Sequence, residues 1–206
     1  MDERFTQPFW DERYGATDRV WSGNPNPQLV REVADLSPGL ALEAGCGEGA
    51  DAHWLARRGW QVTALDVSAV ALARGAEHAG PEFADRITWR QADLLAWEPE
   101  PDRYDLVTAH FMQLPSALRD PLFAALAASV APRGTLLIVG HDLSDLGTAL
   151  PRHGDPDMFF TAEQVAGKLE ADRWEIVVAE ARPRTAVHEG QEITIADAVL
   201  RARRRR

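Results

Sequence analysis

The sequence predicts a doubly wound α/β fold, a parallel sheet with helices on both faces that closes with an antiparallel hairpin. Three observations carry this expectation. Short apolar runs alternate with helix-period segments from Leu40 to about Ala171, the pattern left by strands joined through crossover helices. A glycine-rich turn, Gly45 to Gly49, stands between the first of those strands and its helix, the place where such folds meet ligands. The last two strand-like runs, Glu175 to Glu180 and Ile193 to Leu200, have no helix between them. The residues separating them are too few for a parallel crossover, so they pair antiparallel.

Each element has a local reason. Asn26-Pro27 followed by Leu29, Val30, Val33 and Leu36 reads as a capped amphipathic helix with proline at its first position. Leu40 to Glu43 is the first strand, and a helix from Ala50 to Arg58 is stopped by Gly59. Gln61 to Asp66 is the second strand, and Ser68 caps a helix over Ala69 to His78. Arg86 to Arg90 and Tyr104 to His110 are the third and fourth strands, the latter following the polar loop Glu98 to Arg103. Asp120-Pro121 opens a helix to Val130, and Gly134 to Val139 is the fifth strand. Asp142 to Phe160 has no regular pattern and reads as a lid or binding loop. Its Met158, Phe159 and Phe160 either form a substrate wall or anchor the following helix. That helix starts at Thr161-Ala162-Glu163-Gln164, which has capping-box spacing, and runs to about Ala171.

Composition narrows the class. With 206 residues, 45% apolar and 26% charged, the chain reads as one soluble domain over residues 1–206. Its net charge is −10, although five arginines stand among the last six residues. So acidic a body repels phosphate backbones, which argues against a nucleic-acid partner, and the arginine tail reads as a solvated, frayed end. The single cysteine, Cys46, cannot form an intramolecular disulfide, and the N-terminus lacks signal-peptide character. The expected location is the cytoplasm. Leu122 to Pro132 is the longest uncharged apolar-rich stretch, too short to span a membrane. His153-x-Asp155-x-Asp157 lacks the further ligands of a closed metal site, so no metal is expected.

The strongest chemical signal is Glu43-Ala44-Gly45-Cys46-Gly47-Glu48-Gly49. Glycines there let the backbone turn sharply and approach a ligand. Gly45, Gly47 and Ala50 also satisfy the G-x-G-x-x-A dinucleotide spacing, so spacing leaves the cofactor open. Asp66 ends the second strand, where a carboxylate accepts from vicinal ribose hydroxyls in either cofactor class. The acids at 43 and 48 discriminate. Both are unhelpful beside a pyrophosphate and suit S-adenosylmethionine, which carries an ammonium, a sulfonium and no phosphate. Cys46 reads as a small filler of the turn, with no His or Lys beside it in sequence to activate it.

With these features in place the sequence resembles the class I S-adenosylmethionine-dependent methyltransferases. Glu43-x-Gly45-x-Gly47-x-Gly49 is similar to the family's first motif, Tyr104 to His110 to its fourth strand, and Pro132 to Leu137 to the turn into strand five. The resemblance implies a Rossmann-like seven-stranded sheet of order 3-2-1-4-5-7-6 with the last strand antiparallel. It implies that Glu43, Gly45, Cys46, Gly47 and Val67 border the cofactor and that Asp66 holds its ribose. Gln91-Ala92-Asp93-Leu94 resembles the adenine-lining segment, with Asp93 accepting from the exocyclic amine and Leu94 presenting its amide. The opening Phe9 to Tyr14 and Val20 to Pro25 resemble the small bacterial branch related to tellurite-resistance and thiopurine methyltransferases. By that likeness residues 1–25 cover the site. Tyr14 and Trp21 lie on the cofactor, Tyr14 toward its methionine carboxylate, and Trp10 lies on the acceptor side. Gln113 stands where relatives often carry histidine, which removes a histidine role there.

Methyl transfer is an in-line displacement that demands alignment and exclusion of water. A thiol, selenium or tellurium acceptor needs no base, whereas an oxygen or ring nitrogen often does. His110 and His141, at the ends of strands four and five, are the candidate bases, with His110 also beside the cofactor and His141 beside the acceptor. The expected reaction is methylation of a small molecule with a soft heteroatom or an aromatic heterocycle. No Asn-Pro-Pro-Tyr-like tetrapeptide follows strand four, which argues against methylation of a base amino group. The alternatives are an NAD(P)-dependent oxidoreductase and a non-catalytic protein that binds S-adenosylmethionine.

Overall fold

The computed structural model describes residues 2–148 and 155–206. A short 3-10 turn, Glu3–Phe5, leads into α1 (Gln7–Gly15), and α2 (Pro27–Val33) precedes the sheet. Then follow β1 (Leu40–Ala44), α3 (Ala50–Arg57), β2 (Gln61–Asp66), α4 (Ala69–Ala79), β3 (Ile87–Gln91) and β4 (Tyr104–His110). The second half holds α5 (Ser116–Ser129), β5 (Val130–His141), α6 (Ala162–Ala166), β6 (Trp174–His188) and β7 (Gln191–Arg204). The strands form one seven-stranded sheet of order β3-β2-β1-β4-β5-β7-β6. β1 to β5 pair in parallel, while β7 runs antiparallel to both β5 and β6, as the sequence predicts.

The central strands are apolar on both faces because both faces are covered. Successive side chains point to opposite sides, and the core divides accordingly. Leu42, Val107, Leu136 and Ile138 pack with Phe123, Leu126 and Phe160 on one side. Ala41, Leu106, Leu137 and Val139 pack with Leu29, Val33, Leu55 and Trp60 on the other.

The structure corrects several boundaries. α5 begins at Ser116 and carries Pro121 inside it, whereas the sequence places its start at Asp120-Pro121. The cause is a cap distant in sequence: the Asp157 carboxylate accepts from the Ser116 N–H at 2.7 Å and from its hydroxyl at 2.8 Å. α6 has its capping box but ends at Ala166, ahead of Gly167. β6 and β7 run well beyond the predicted runs and meet at Glu189-Gly190, both with positive φ (50° and 77°), the two-residue turn whose twist matches a hairpin. The arginine tail is not frayed. Arg201, Arg203 and Arg204 lie in β7; Arg201 sits 3.6 Å from Glu32 and from Asp35, and Arg204 bonds Asp102 and the Val130 carbonyl. The Asp142 to Phe160 segment contains 3-10 turns at Leu143–Gly147 and Pro156–Met158; His153 lies outside the described residues. Among those residues, no helix is long and apolar enough to cross a membrane.

Candidate active site

The carboxyl ends of the parallel strands open on a cavity of about 980 Å³, walled also by the N-terminal segment. Its floor is the turn after β1. Gly45 and Gly47 have φ of 72° and 52°, the left-handed region that side chains resist. Space forbids a side chain as well: a Cβ at Gly45 would stand 2.5 Å from the Met112 sulfur, and one at Gly47 would stand 2.8 Å from the Tyr14 hydroxyl. The Gly45 and Cys46 N–H groups donate to the Leu65 carbonyl at 2.8 and 2.9 Å, which fastens the turn to the end of β2. Asp66 completes the fastening, accepting from the Gly47 N–H at 2.8 Å and the Ser68 N–H at 2.9 Å. Burial pushes its carboxyl above the usual range. Burial likewise pushes the Cys46 thiol well up, so it fills the turn as a neutral thiol.

Glu43, at the end of β1, is 4% exposed and its Oε2 has no hydrogen-bond partner. Burial first, then the nearby Asp51 and Asp66, push its carboxyl well above the ordinary value. A cation arriving beside such an acid favours its ionised form. On the same wall His110 Nδ1 lies 2.6 Å from Asp51 Oδ2, and Asp51 Oδ1 accepts from the Asn26 N–H at 2.6 Å. His110 Nε2 is buried without a partner. The next residue, Phe111, has φ of 54° and donates its N–H to the Val139 carbonyl at 2.7 Å. A non-glycine residue held there is strained, and the turn sets His110 at the strand end. His141 lies between aromatic rings, 4.8 Å from Phe111 and 6.2 Å from Phe159 by centroid.

The N-terminal segment closes over the turn. Asp11 of α1 accepts from the Ser68 hydroxyl at 2.6 Å, which pins the helix to the start of α4. Tyr14 is 3% exposed and its hydroxyl accepts from the Trp21 indole N–H at 3.0 Å. Burial pushes the phenol far up, so it stays neutral. The Arg13 guanidinium lies over the Trp10 and Trp21 rings, 5.5 and 5.4 Å from their centroids. Glu48 fastens the segment further, accepting from the Val20 and Trp21 N–H groups at 3.1 and 3.2 Å and pairing with Arg74 at 3.3 Å. This corrects the expectation that Glu48 acts on a ligand's charge. Its carboxylate is engaged by the covering segment and by Arg74, whereas the Glu43 Oε2 has no hydrogen-bond partner.

Trp10, Tyr14, Trp21, Glu43, Gly45, Cys46 and Gly47 all line the cavity, as do Asp66, Val67, Asp93, Leu94, His110 and His141. Asp93 already accepts from the Leu95 N–H at 3.0 Å. Phe159 and Phe160 do not line it. Phe160 is 1% exposed, packed on Gly140 and edge-on to Phe123, and Phe159 is buried against His141. They anchor the segment, and only Met158 of the predicted wall reaches the cavity. Gln113 ties the wall together: with its amide turned to suit both neighbours it donates to the Met158 carbonyl at 3.1 Å and accepts from the His141 N–H at 3.3 Å. Sequence reasoning missed Asp51, Arg184 and Asp197, all at the cavity. The one available signal for Asp51 is an acid in the first turn of the helix after the glycines. Among the described residues no group of three or more His, Cys, Asp or Glu could hold a metal.

Residues 41–134 match the family model described as a methyltransferase domain. A 2-heptyl-1-hydroxyquinolin-4(1H)-one methyltransferase of Mycobacteroides abscessus is 26% identical over 126 residues, 59% of this chain and 56% of that protein. The chain thus spans less than two thirds of that curated relative. Among solved structures, one from work on converting a disulfide into a thioacetal in echinomycin biosynthesis has a TM-score of 0.72 at 23% identity, covering 97% of this chain and 92% of that one. The N-methyltransferase NodS of Bradyrhizobium japonicum, in complex with S-adenosylhomocysteine, gives 0.68 at 21%, covering 94% and 95%. TehB of Haemophilus influenzae gives 0.66 at 21%, covering 96% and 66%.

Proposed function

We propose that the chain belongs to the class I S-adenosylmethionine-dependent methyltransferases and methylates a small-molecule acceptor inside this cavity. The observation that carries the proposal is the buried Glu43 with an unpartnered oxygen beside a glycine turn. Together with Asp51 and Asp66 it makes the floor hostile to a pyrophosphate and favourable to a cation. S-adenosylmethionine fits that floor, and when bound it supplies an electrophilic methyl group on a positively charged sulfur.

The chain's own residues then have separable tasks. Glu43 faces the cationic end, and Asp66, fixed by two amides, offers its remaining lone pairs to the ribose hydroxyls. Asp93 and Leu94 border the adenine. Tyr14 and Trp21, held to the glycine turn by their mutual hydrogen bond and by Glu48, cover the reacting centre and keep water from it. The acceptor occupies the part of the cavity bordered by Trp10, His141, Met158 and Arg184. The names of the relatives support acceptors of the expected kinds: a hydroxyquinolinone in one case and sulfur chemistry in another.

Calorimetric titration of S-adenosylmethionine, S-adenosylhomocysteine and NADH tests the reading. The first two bind in the micromolar range and lose affinity in Asp66→Ala, whose circular dichroism remains native. Binding of NADH alone would replace the methyltransferase with an oxidoreductase. Cofactor binding with no turnover across thiols, chalcogen oxyanions, phenols and heterocycles would leave a binding protein without catalysis.

A further inference from the structure

We infer that Asp51 and His110 form a proton-accepting pair, with Asp51 as positioning residue, and that the acceptor carries its nucleophile as a hydroxyl or ring N–H. The inference rests on the proposed methyl transfer and deepens it.

The geometry is that of an oriented base. An ionised carboxylate only accepts hydrogen bonds, so the 2.6 Å contact places a proton on His110 Nδ1. In the neutral imidazole Nε2 then presents a lone pair, in a side chain 8% exposed and with no hydrogen-bond partner. Burying such an acceptor unpaired is costly, which marks it as reserved for a donor that arrives with the substrate. Asp51 is itself fixed by the Asn26 N–H at 2.6 Å, and Asn26 caps α2. The imidazole is thereby held by two elements as well as by the strained turn at Phe111. Glu43 on β1, Asp66 on β2 and His141 on β5 are among the other titratable groups lining the cavity. His141 lies between two aromatic rings and forms the wall.

A thiol, selenol or telluride acceptor that enters ionised has no use for this pair. An O–H or ring N–H acceptor does. Its proton passes to His110 Nε2 as its lone pair forms the bond to the methyl carbon. The carbon–sulfur bond breaks with its electrons returning to sulfur, and the imidazolium releases the proton to solvent after product leaves. Atoms and charge balance without a further reactant.

Two measurements on the full chain test the pair. Nitrogen-15 NMR of the histidine side chains, without cofactor, with His110 assigned by its absence in His110→Gln, reads the tautomer. The expected result is an Nδ1–H imidazole with an exchange-protected proton, lost in Asp51→Asn; an Nε2–H tautomer in the wild type overturns the proposal. Turnover is then compared for 1-hydroxyquinolin-4(1H)-one and for thiophenol, which enters largely ionised. Asp51→Asn lowers kcat for the hydroxyl probe at least tenfold more than for thiophenol, His110→Gln does so by about 10²–10⁴, and Asp51→Glu recovers part of the loss. Equal losses for both probes, turnover of thiophenol alone, or no turnover despite bound S-adenosylmethionine each overturn it. Absence of S-adenosylmethionine binding in the wild type instead defeats the underlying reading, and the titration above distinguishes the two failures.

Discussion

Two regions of the molecule bury carboxylates and treat them oppositely. Between α2, β6 and β7, Glu32 lies 2.7 Å from the Arg182 guanidinium, which also pairs with Glu180 at 2.7 Å and donates to Gln28 at 3.0 Å. Gln28 in turn donates to Asp197 at 3.2 Å, and Arg184 pairs with Asp197 at 2.8 Å. At the cavity floor Glu43, Asp51 and Asp66 are equally buried, yet among the described residues no lysine or arginine pairs with any of them. Their partners are main-chain amides and one imidazole. The first region is a closed framework that holds the final hairpin to α2. The second holds buried carboxyl groups that no lysine or arginine among the described residues compensates, which is how a protein stores affinity for a cationic ligand at some expense of its own stability.

Breaking the framework gives the largest effect. Arg182→Met removes the closest guanidinium from buried Glu32 and Gln28, leaving Glu32 only the longer contacts to Arg201 and Arg31 at 3.6 and 3.8 Å, and removing one partner of a buried pair costs about 3–5 kcal/mol. Urea unfolding measures it, and a loss below about 1 kcal/mol would erase the distinction between the regions. Glu43→Gln has the opposite sign. Above the ordinary carboxylate range, where burial penalises this acid, the amide raises the thermal midpoint of the ligand-free protein by about 2–4 °C, the shift that 1 kcal/mol makes at this chain length. S-adenosylmethionine affinity falls at least about tenfold, as the loss of a hydrogen bond to a charged group predicts. The pH dependence sharpens the point. Burial raises the folded-state values of Glu43 and Asp66, so above the ordinary carboxylate range the folded chain retains protons that the unfolded chain has lost. Stability of the ligand-free protein therefore falls as pH climbs through the raised values, and Glu43→Gln flattens the decline. Melts between about pH 4 and pH 8 check the slope, and a slope of opposite sign would refute the assignment.

The two regions also differ in how much of them a reader of the sequence could see. The floor is local: a strand, a glycine turn and a carboxylate at the end of the next strand follow each other closely, so Glu43, Gly45, Gly47 and Asp66 were legible. The framework joins Gln28 and Glu32 to Arg182 and Asp197, partners that only the finished sheet brings together, and the arginine tail therefore looked solvated. The same cause hid the start of α5, whose cap is Asp157, and the pairing of Asp51 with His110. Phe159 and Phe160 misled for a different reason. Aromatic residues before a helix serve a cavity wall or an anchor equally well in sequence, and packing on Gly140 decided for the anchor.

Glu48 gives the smallest and most discriminating prediction, because by position it belongs to the floor and by bonding to the framework. It stands in the glycine turn, 7% exposed, yet its charge is met by Arg74 and by the Val20 and Trp21 amides. If charge compensation is what separates the regions, Glu48→Ala weakens the covering segment without changing what the floor offers a cation. Loss of these hydrogen bonds is worth about 1 kcal/mol, which predicts roughly fivefold faster amide exchange at Val20 and Trp21 and a similarly faster release of S-adenosylmethionine. The association rate and the pH dependence of binding stay as in the wild type, since Glu43 is untouched. A Glu48→Ala protein that lost affinity in the pH-dependent manner of Glu43→Gln would show that Glu48 acts on the ligand's charge after all, and position in the turn would then outrank bonding.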